Sequence, residues 1–444
     1  MCVLPVVAAS RECHLCRVSS PSTTPASRAA KAWRDGFFAV VAGFAVMFAV
    51  AAAGAACAGA GSLPGGAFPR VVAAVAVMAA GGSVEPSGGA GALAGAAGQL
   101  SVMPLSVSLA GALTVGCAFL RPLRGRAVAG PRELLGRAVP LVVLWLLALM
   151  GTGLAARQTF GLLPGDSPLG TIGELLDSAP TVGFETDLPV TALCGLLWIV
   201  GLLVVALLVS RRAPLPASVV RFHTAVRPAA FATLVLLLAY VVLGFFTAVV
   251  VACTQGHAER TLAVVLLGLP NLAWLALSLG LGGAWEGRVE GPFGLPMPRL
   301  LDQVLRGPER STVDVSTLAE RDSRAWWLVV VAAVLLLLGT GVLAAVRSPA
   351  GVRPWRQALH LGVALALAML TVCLLTGTHA GFGLSLLGIG DVSGLGEEVE
   401  LTPVLWRNTG LALLWGAVAG FLGTLLARPL RHRGPVTSKD PTGL

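Results

Sequence analysis

Apolar positions in this chain come in long uninterrupted blocks, and charged residues fall almost only between them. A helix needs about 20 apolar residues to cross the hydrocarbon core of a bilayer. Uncharged stretches of that length run between Asp35 and Arg70, Glu85 and Arg121, Arg137 and Arg157, and Asp187 and Arg211. Others run between Arg227 and Glu259, Arg260 and Glu286, Arg324 and Arg347, Arg356 and Asp391, and Arg407 and Arg428. Residues 71–84 form a shorter stretch, long enough only for a half-helix. The pattern predicts an all-α, polytopic transmembrane helix bundle.

The blocks occur twice in the same order. Leu196-Leu197-Trp198 leads to Arg211-Arg212, and Leu413-Leu414-Trp415 leads to Arg428 and Arg431. Each of these spans follows an acidic approach and a proline, Glu185/Asp187 with Pro189 and Glu398/Glu400 with Pro403. One offset relates Gly36 to Ala229 and Phe68 to Thr261. The expected division is a disordered tail over 1–30, a membrane repeat over 31–212, a second over 213–433 with a hydrophilic loop at 286–324, and a disordered tail over 434–444. Within that loop, Ser316 is the expected N-cap of a helix leading toward Trp326-Trp327.

Loop charge orients the spans, because Lys and Arg stay on the cytoplasmic side. Residues 121–137 hold Arg121, Arg124, Arg126, Arg132 and Arg137 against Glu133, while 211–227 and 347–356 hold arginines and no acid. Residues 157–187 and 391–407 are mainly acidic and suit the outside. Simple alternation then fails unless 68–100 and 261–285 enter and leave on one side. Gly81-Gly82, Pro86 and Gly88-Gly89 interrupt the first of these, and Pro270-Asn271 with Gly280, Gly282 and Gly283 interrupts the second. Such interruptions fit broken or re-entrant segments. The resulting architecture is two tandem parallel repeats with eight full spans plus two broken or re-entrant segments, and both termini cytoplasmic. The rival arrangement has nine or ten full spans.

Composition excludes several classes of function. Hydrophobic residues make up 56% and charged residues 12% of the chain, half the charge of a soluble domain. The net charge of +9 comes from arginines beside apolar spans, so they read as topology signals with the lipid bilayer as partner and no nucleic acid. Cys57, Cys117, Cys194, Cys253 and Cys373 lie in or beside apolar spans and make no disulfide framework. Cys13-His14-Leu15-Cys16 is half of a zinc or redox pattern without a second half, so no metal or other cofactor is expected. Residues 1–27 lack the apolar core of a signal peptide and read as an unstructured tail or as translation from an upstream start.

Several longer motifs stand out: FLRPLRGRAV at 119–128, SRRAPLPASVVRFHTAVRPAAFA at 210–232 and LLGLPNLAWLALSLGLGGAWEGRVEGPFGLPMP at 266–298. RSPAGVRPWRQALHL at 347–361 and GLSLLGIGDVSGLGEEVEL at 383–401 join them. In these residues the chain resembles the streptophobe family of polytopic actinobacterial membrane proteins, over roughly 31–435. The resemblance implies a multi-pass protein of the cytoplasmic membrane and brings no mechanism, cofactor or catalytic residue with it.

Candidate chemistry is sparse. Glu85, Asn271, Glu286, Arg288 and Glu290 adjoin the two broken segments, where free half-helix ends offer backbone donors and acceptors to a solute. The bland alternative has the charges paired at the interface and Asn271 capping the proline break. Asp391 lies in a Gly-rich acidic loop with Glu397, Glu398 and Glu400, either a cation funnel or a solvated rim. His257, His360 and His379 sit near span ends, where interface residues are ordinary. No GxSxG, HExxH or Walker A motif is present, so no catalytic residue is assigned. The expected function is a secondary carrier or permeation protein for a small solute, with a non-transporting structural or interaction protein of the cell envelope as the alternative. An enzyme acting on lipid-linked substrates is a third reading without a catalytic constellation.

Overall fold

The computed structural model describes residues 25–62, 66–90, 94–123, 131–161, 181–210, 217–255, 258–290, 311–321, 326–349, 352–386 and 397–428. Eleven helices dominate them. The first half contains α1 (Pro25–Cys57), α2 (Ala67–Ala79), β1 (Val84–Ala90), β2 (Ala94–Ser101), α3 (Leu105–Leu120), α4 (Pro131–Ala155), β3 (Gln158–Gly161), β4 (Thr181–Thr186) and α5 (Leu188–Val209). The second half contains α6 (Ala217–Gln255), α7 (Ala258–Gly280), β5 (Trp285–Glu290), β6 (Ser311–Val313), α8 (Val315–Arg321), α9 (Trp326–Arg347), α10 (Pro354–Thr376), β7 (Thr378–Leu386), β8 (Glu397–Pro403) and α11 (Leu405–Leu426). Helix α1 starts at Pro25, inside the segment expected to be a disordered tail, and residues 1–24 lie outside the described residues. The 434–444 tail lies outside the described residues.

The acidic and glycine-rich segments, expected as loops, pair into one antiparallel sheet of order β3-β4-β1-β2-β7-β8-β5-β6. The first four strands and the last four follow the same order, and equivalent strands point the same way because every neighbouring pair is antiparallel. The copies are joined head to tail by β2 and β7, from Ala94 opposite Leu386 to Ser101 opposite His379. The stretch between Glu85 and Arg121 is therefore not one span. Its first part is a hairpin, and only α3 remains helical.

A continuous sheet places every helix end that enters it at one face of the bundle. Between β4 and β5 the chain passes through α5, α6 and α7, leaving the sheet and returning to it. Return requires an even number of crossings, so one of the three does not traverse. Helix α7 is that one, because its partners lie at the sheet-side ends or middles of their helices. Leu266 and Leu267 meet Gly54 of α1, Leu269 meets Gly244 of α6, and Gly280 meets Val329 and Ala333 of α9. Eight helices are long and apolar enough to cross a membrane, a set that includes α7 and omits α3. Connectivity reverses both assignments. The 16 residues of α3 extend about 24 Å, and a following 3₁₀ turn at Arg121–Leu123 helps make up the remainder of a core about 30 Å thick.

Eight traversing helices (α1, α3, α4, α5, α6, α9, α10 and α11) and two that stay at the sheet face (α2 and α7) result. Within 261–285 the helix is unbroken as far as Gly280, since α7 runs through Pro270. The equivalence of Phe68 with Thr261 is also corrected. The matching helix ends are Gly81 and Gly282, both at φ +87, which pairs Phe68 with Leu269. Elsewhere the expected offset holds, and α1 buries Ala39, Val40 and Met47 where α6 buries Ala232, Thr233 and Tyr240.

Two apolar cores fill the bundle, one for each half, and they interlock at the seam. Met103 and Leu105 belong to the second core, Leu267 packs on the first, and Trp198 touches both. Trp198 also stacks on Trp145 at 4.6 Å, an offset-ring contact contributing about 1 kcal/mol beyond its buried area. Close helix approach in the second half depends on small residues. A Cβ on Gly341 would fall 2.1 Å from the Ala419 carbonyl oxygen, and one on Gly416 would fall 2.9 Å from the Gly362 Cα.

Candidate functional site

The polar groups of the bundle concentrate where α2 and α7 turn into the sheet. Both helices end in the same motif, in which Gly82 N–H donates to Val77 O at 3.0 Å and Gly283 N–H donates to Ser278 O at 2.8 Å. Gly81 and Gly282 supply the left-handed residue this Schellman turn needs. Each turn then meets the first turn of a traversing helix. In the second half Asn408 of α11 accepts from Ala284 N–H at 2.9 Å and donates to Ala284 O at 3.2 Å. Its Nδ2 also lies 3.6 Å from Cys373 Sγ. In the first half Thr191 occupies the matching place against Gly82, is fully buried, and its hydroxyl has no hydrogen-bond partner among the described residues.

A second clamp joins the two halves. Asn271 Oδ1 accepts from Leu105 N–H at 3.2 Å, and its Nδ2 donates to Met103 O at 3.0 Å. Asn271 thus caps the N-terminus of α3 from another helix and satisfies one of its orphan donors. Beside it, Ser106 Oγ donates to Val265 O at 2.8 Å and accepts from Leu269 N–H at 3.1 Å. A straight helix would join those two groups directly. Pro270 strains that turn, and the inserted hydroxyl keeps its polar groups satisfied so that α7 continues. The Ser106 hydroxyl therefore satisfies the Val265 carbonyl and the Leu269 N–H at this turn.

Indole donors reinforce the junction. Trp285 Nε1 donates to Ser278 Oγ at 2.7 Å, Trp415 Nε1 to Leu281 O at 3.1 Å, and Trp274 Nε1 to Leu237 O at 3.1 Å. Arg407 donates to Gly282 O at 3.1 Å and reaches Asp314 at 3.8 Å. Asp314, not Ser316, caps α8, accepting from Thr317 N–H at 3.0 Å and from the Ser316 hydroxyl. Burial alone would raise the Asp314 pKa, but these hydrogen bonds and the Arg407 charge outweigh it and hold the carboxyl below its ordinary value.

The charged candidates do not converge on a cavity in the bundle. Glu85 and Glu286 are exposed and occupy matching places in β1 and β5, opposite Glu185 and Thr402 respectively. Arg288 is opposite Glu400, and Glu290 is opposite Glu398. Glu185 is also 3.3 Å from Arg157. These positions belong to the sheet because the turns at Gly81 and Gly282 release the chain into it before the charges begin. Asp391 and His257 lie outside the described residues, His379 falls in β7, and His360 lies in the first turns of α10. Among the described residues no three His, Cys, Asp or Glu side chains form a metal-holding group. Sequence reasoning found Asn271 and missed Ser106, Thr191 and Asn408. A polar residue just inside the start of an apolar block, as at Asn408 after Arg407, is the signal that marks the last of these.

No family model, no curated protein and no solved structure matches this chain.

Proposed function

We propose that this integral membrane protein is a non-transporting structural or interaction protein of the cell envelope, whose helices anchor an eight-stranded sheet at the outer face. The observation that carries this reading is the use already made of the two asparagines and of Ser106 where the helices meet the sheet, although the Thr191, Thr233 and Tyr240 hydroxyls have no partner among the described residues. The Asn271 amide is bonded to Leu105 at the start of α3 and to Met103 just before it, Ser106 closes the proline turn, and Asn408 is committed to Ala284. A transport path needs such groups available to a solute.

Orientation follows from the loops. The arginine-rich segments 121–137, 211–227 and 347–356 connect helices at the face opposite the sheet, while the acidic segments 157–187 and 391–407 contribute to the sheet face. The positive-inside rule then sets the sheet outside the cytoplasmic membrane and both termini inside. The recurrence of element and strand order supports a duplicated unit with parallel copies. The resemblance to the streptophobe family, carried by the motifs at 119–128, 210–232, 266–298, 347–361 and 383–401, agrees with this assignment and is proposed with it.

The carrier reading keeps one observation in its favour, the paired non-traversing helices α2 and α7. Photocrosslinking from positions 85 and 286 in living cells, together with solute uptake into proteoliposomes, separates the two. The envelope reading predicts discrete protein adducts from the sheet positions and no saturable uptake. Saturable uptake that N271A abolishes while the folded protein persists establishes the carrier instead.

A further inference from the structure

We propose that the bundle end opposite the sheet holds a phosphate-ester binding site, built by the start of α10 against α6, with Pro349 and Val352 beside it. A cavity of about 430 Å³ opens there, lined by Thr224, Arg353, Arg356, Gln357 and His360 together with apolar neighbours. That volume falls in the usual range of small-ligand pockets, about 300–1,000 Å³. Two guanidinium groups and, among the described residues, no carboxylate line it. Planar guanidinium forks match the oxygens of a phosphate, and the first turn of α10 adds the positive end of a helix dipole.

A buried side chain fixes the start of α10 beside the cavity. Gln357 is 2% exposed, and its amide lies 2.9 Å from Ser348 Oγ, whose hydroxyl hydrogen goes to Ala344 O at 2.8 Å. The first half shows what fills the equivalent place. Leu141, Trp145 and Leu149 of α4 match Leu361, Leu365 and Met369 of α10 in position and burial. That register sets Glu133 against Arg353 and Arg137 against Gln357. In the first half the anion is built in, with Glu133 3.5 Å from Arg137. In the second half an arginine stands where the acid was and a glutamine where its arginine partner was, so the equivalent place carries a cation and no built-in anion.

The neighbouring aromatics place the site at a membrane surface. Trp355 is exposed with Arg356 5.3 Å from its ring centroid, and Arg347 sits 3.9 Å over the Phe231 ring. Exposed tryptophan beside arginine is the composition of an interfacial belt, and basic pockets between helix ends take lipid headgroup phosphates. The shared chemistry is a phosphate ester, supplied either by a lipid headgroup or by a free phosphate compound.

Thermal unfolding of the full chain in lipid-free detergent tests this with three probes: dioctanoyl phosphatidic acid, dioctanoylglycerol and inorganic phosphate. The expected result is a saturable stabilisation by phosphatidic acid and none by dioctanoylglycerol. R353Q weakens it roughly ten-fold, as losing one charged hydrogen bond would, and R353E, which installs the first half's acid, abolishes it. R428Q, which removes an arginine elsewhere at the same end, leaves it unchanged. The same saturable, Arg353-dependent shift with inorganic phosphate also supports the site and assigns it to a free phosphate. A shift that does not saturate, or one that R428Q reduces as much as R353Q, or one that persists in R353E, overturns the proposal.

Discussion

At the scale of single residues, the decisive groups are uncharged. Asn408 satisfies the Ala284 N–H at the turn into β5 and is a second donor to the Ala284 C=O, which also accepts from Val404 N–H, so N408A leaves the N–H unpaired in a buried place. A loss of about 2–3 kcal/mol is expected in equilibrium unfolding. T191A at the matching place removes a hydroxyl that bonds to nothing among the described residues, and a change below about 1 kcal/mol is expected. Equal losses for the two variants would refute the clamp. S106A exposes the turn at Pro270, and faster amide hydrogen exchange at Leu269 is the expected readout.

Asp314 gives a pH signature at the same scale. Its pKa is lowered on folding, so its contribution to stability is present above the ordinary carboxylate value and is lost as pH falls through the folded one. An acid titration of unfolding should therefore lose stability below about pH 4, and D314N should flatten that part of the curve. Asn271 was legible in the sequence because it follows a proline inside an apolar block. Ser106 was not, because its partner is far along the chain at Val265 and Leu269.

Elements separate into those specified locally and those specified by pairing. The long helices follow directly from uncharged blocks of bilayer length, and nearly all were legible for that reason. The sheet was hidden because its strands are short and rich in Gly, Pro and acid, a composition that reads as loop. One strand does carry a signal, since Glu398, Glu400 and Thr402 alternate with Val399 and Leu401 in β8. The other strands acquire their conformation from distant partners, as β2 does from β7. Helix α7 shows the converse error. A proline suggests a break, yet a hydroxyl from α3 repairs the turn.

Helix contact makes an opposed pair of predictions at this scale. A methyl at Gly341 meets the Ala419 backbone at 2.1 Å, whereas a methyl at Gly339 meets nothing within 4 Å. G341A should destabilise by about 1–3 kcal/mol through forced separation of α9 and α11. G339A should be neutral or stabilise by up to about 1 kcal/mol, because alanine favours a helix over glycine. Unfolding midpoints of the two variants in one detergent provide the comparison.

For the whole molecule, the sheet converts a question about charge into one about connectivity. Loop arginines alone suggested that two segments fail to cross, and the return of α5, α6 and α7 to one sheet requires it independently for the second of them. Head-to-tail joining of the halves also makes their surroundings unequal. Helix α7 packs against α1 and α3, and α2 has no such place against α6 and α9. Equivalent positions are therefore free to diverge, as Glu133 and Arg353 have.

Accessibility of single cysteines in intact cells tests this architecture most directly. In a cysteine-free background, a membrane-impermeant thiol reagent should label E85C and E286C from outside, and should label T224C and R353C only after permeabilisation. Labelling of E85C and E286C from opposite sides, or of the sheet positions only from the cytoplasm, would contradict it.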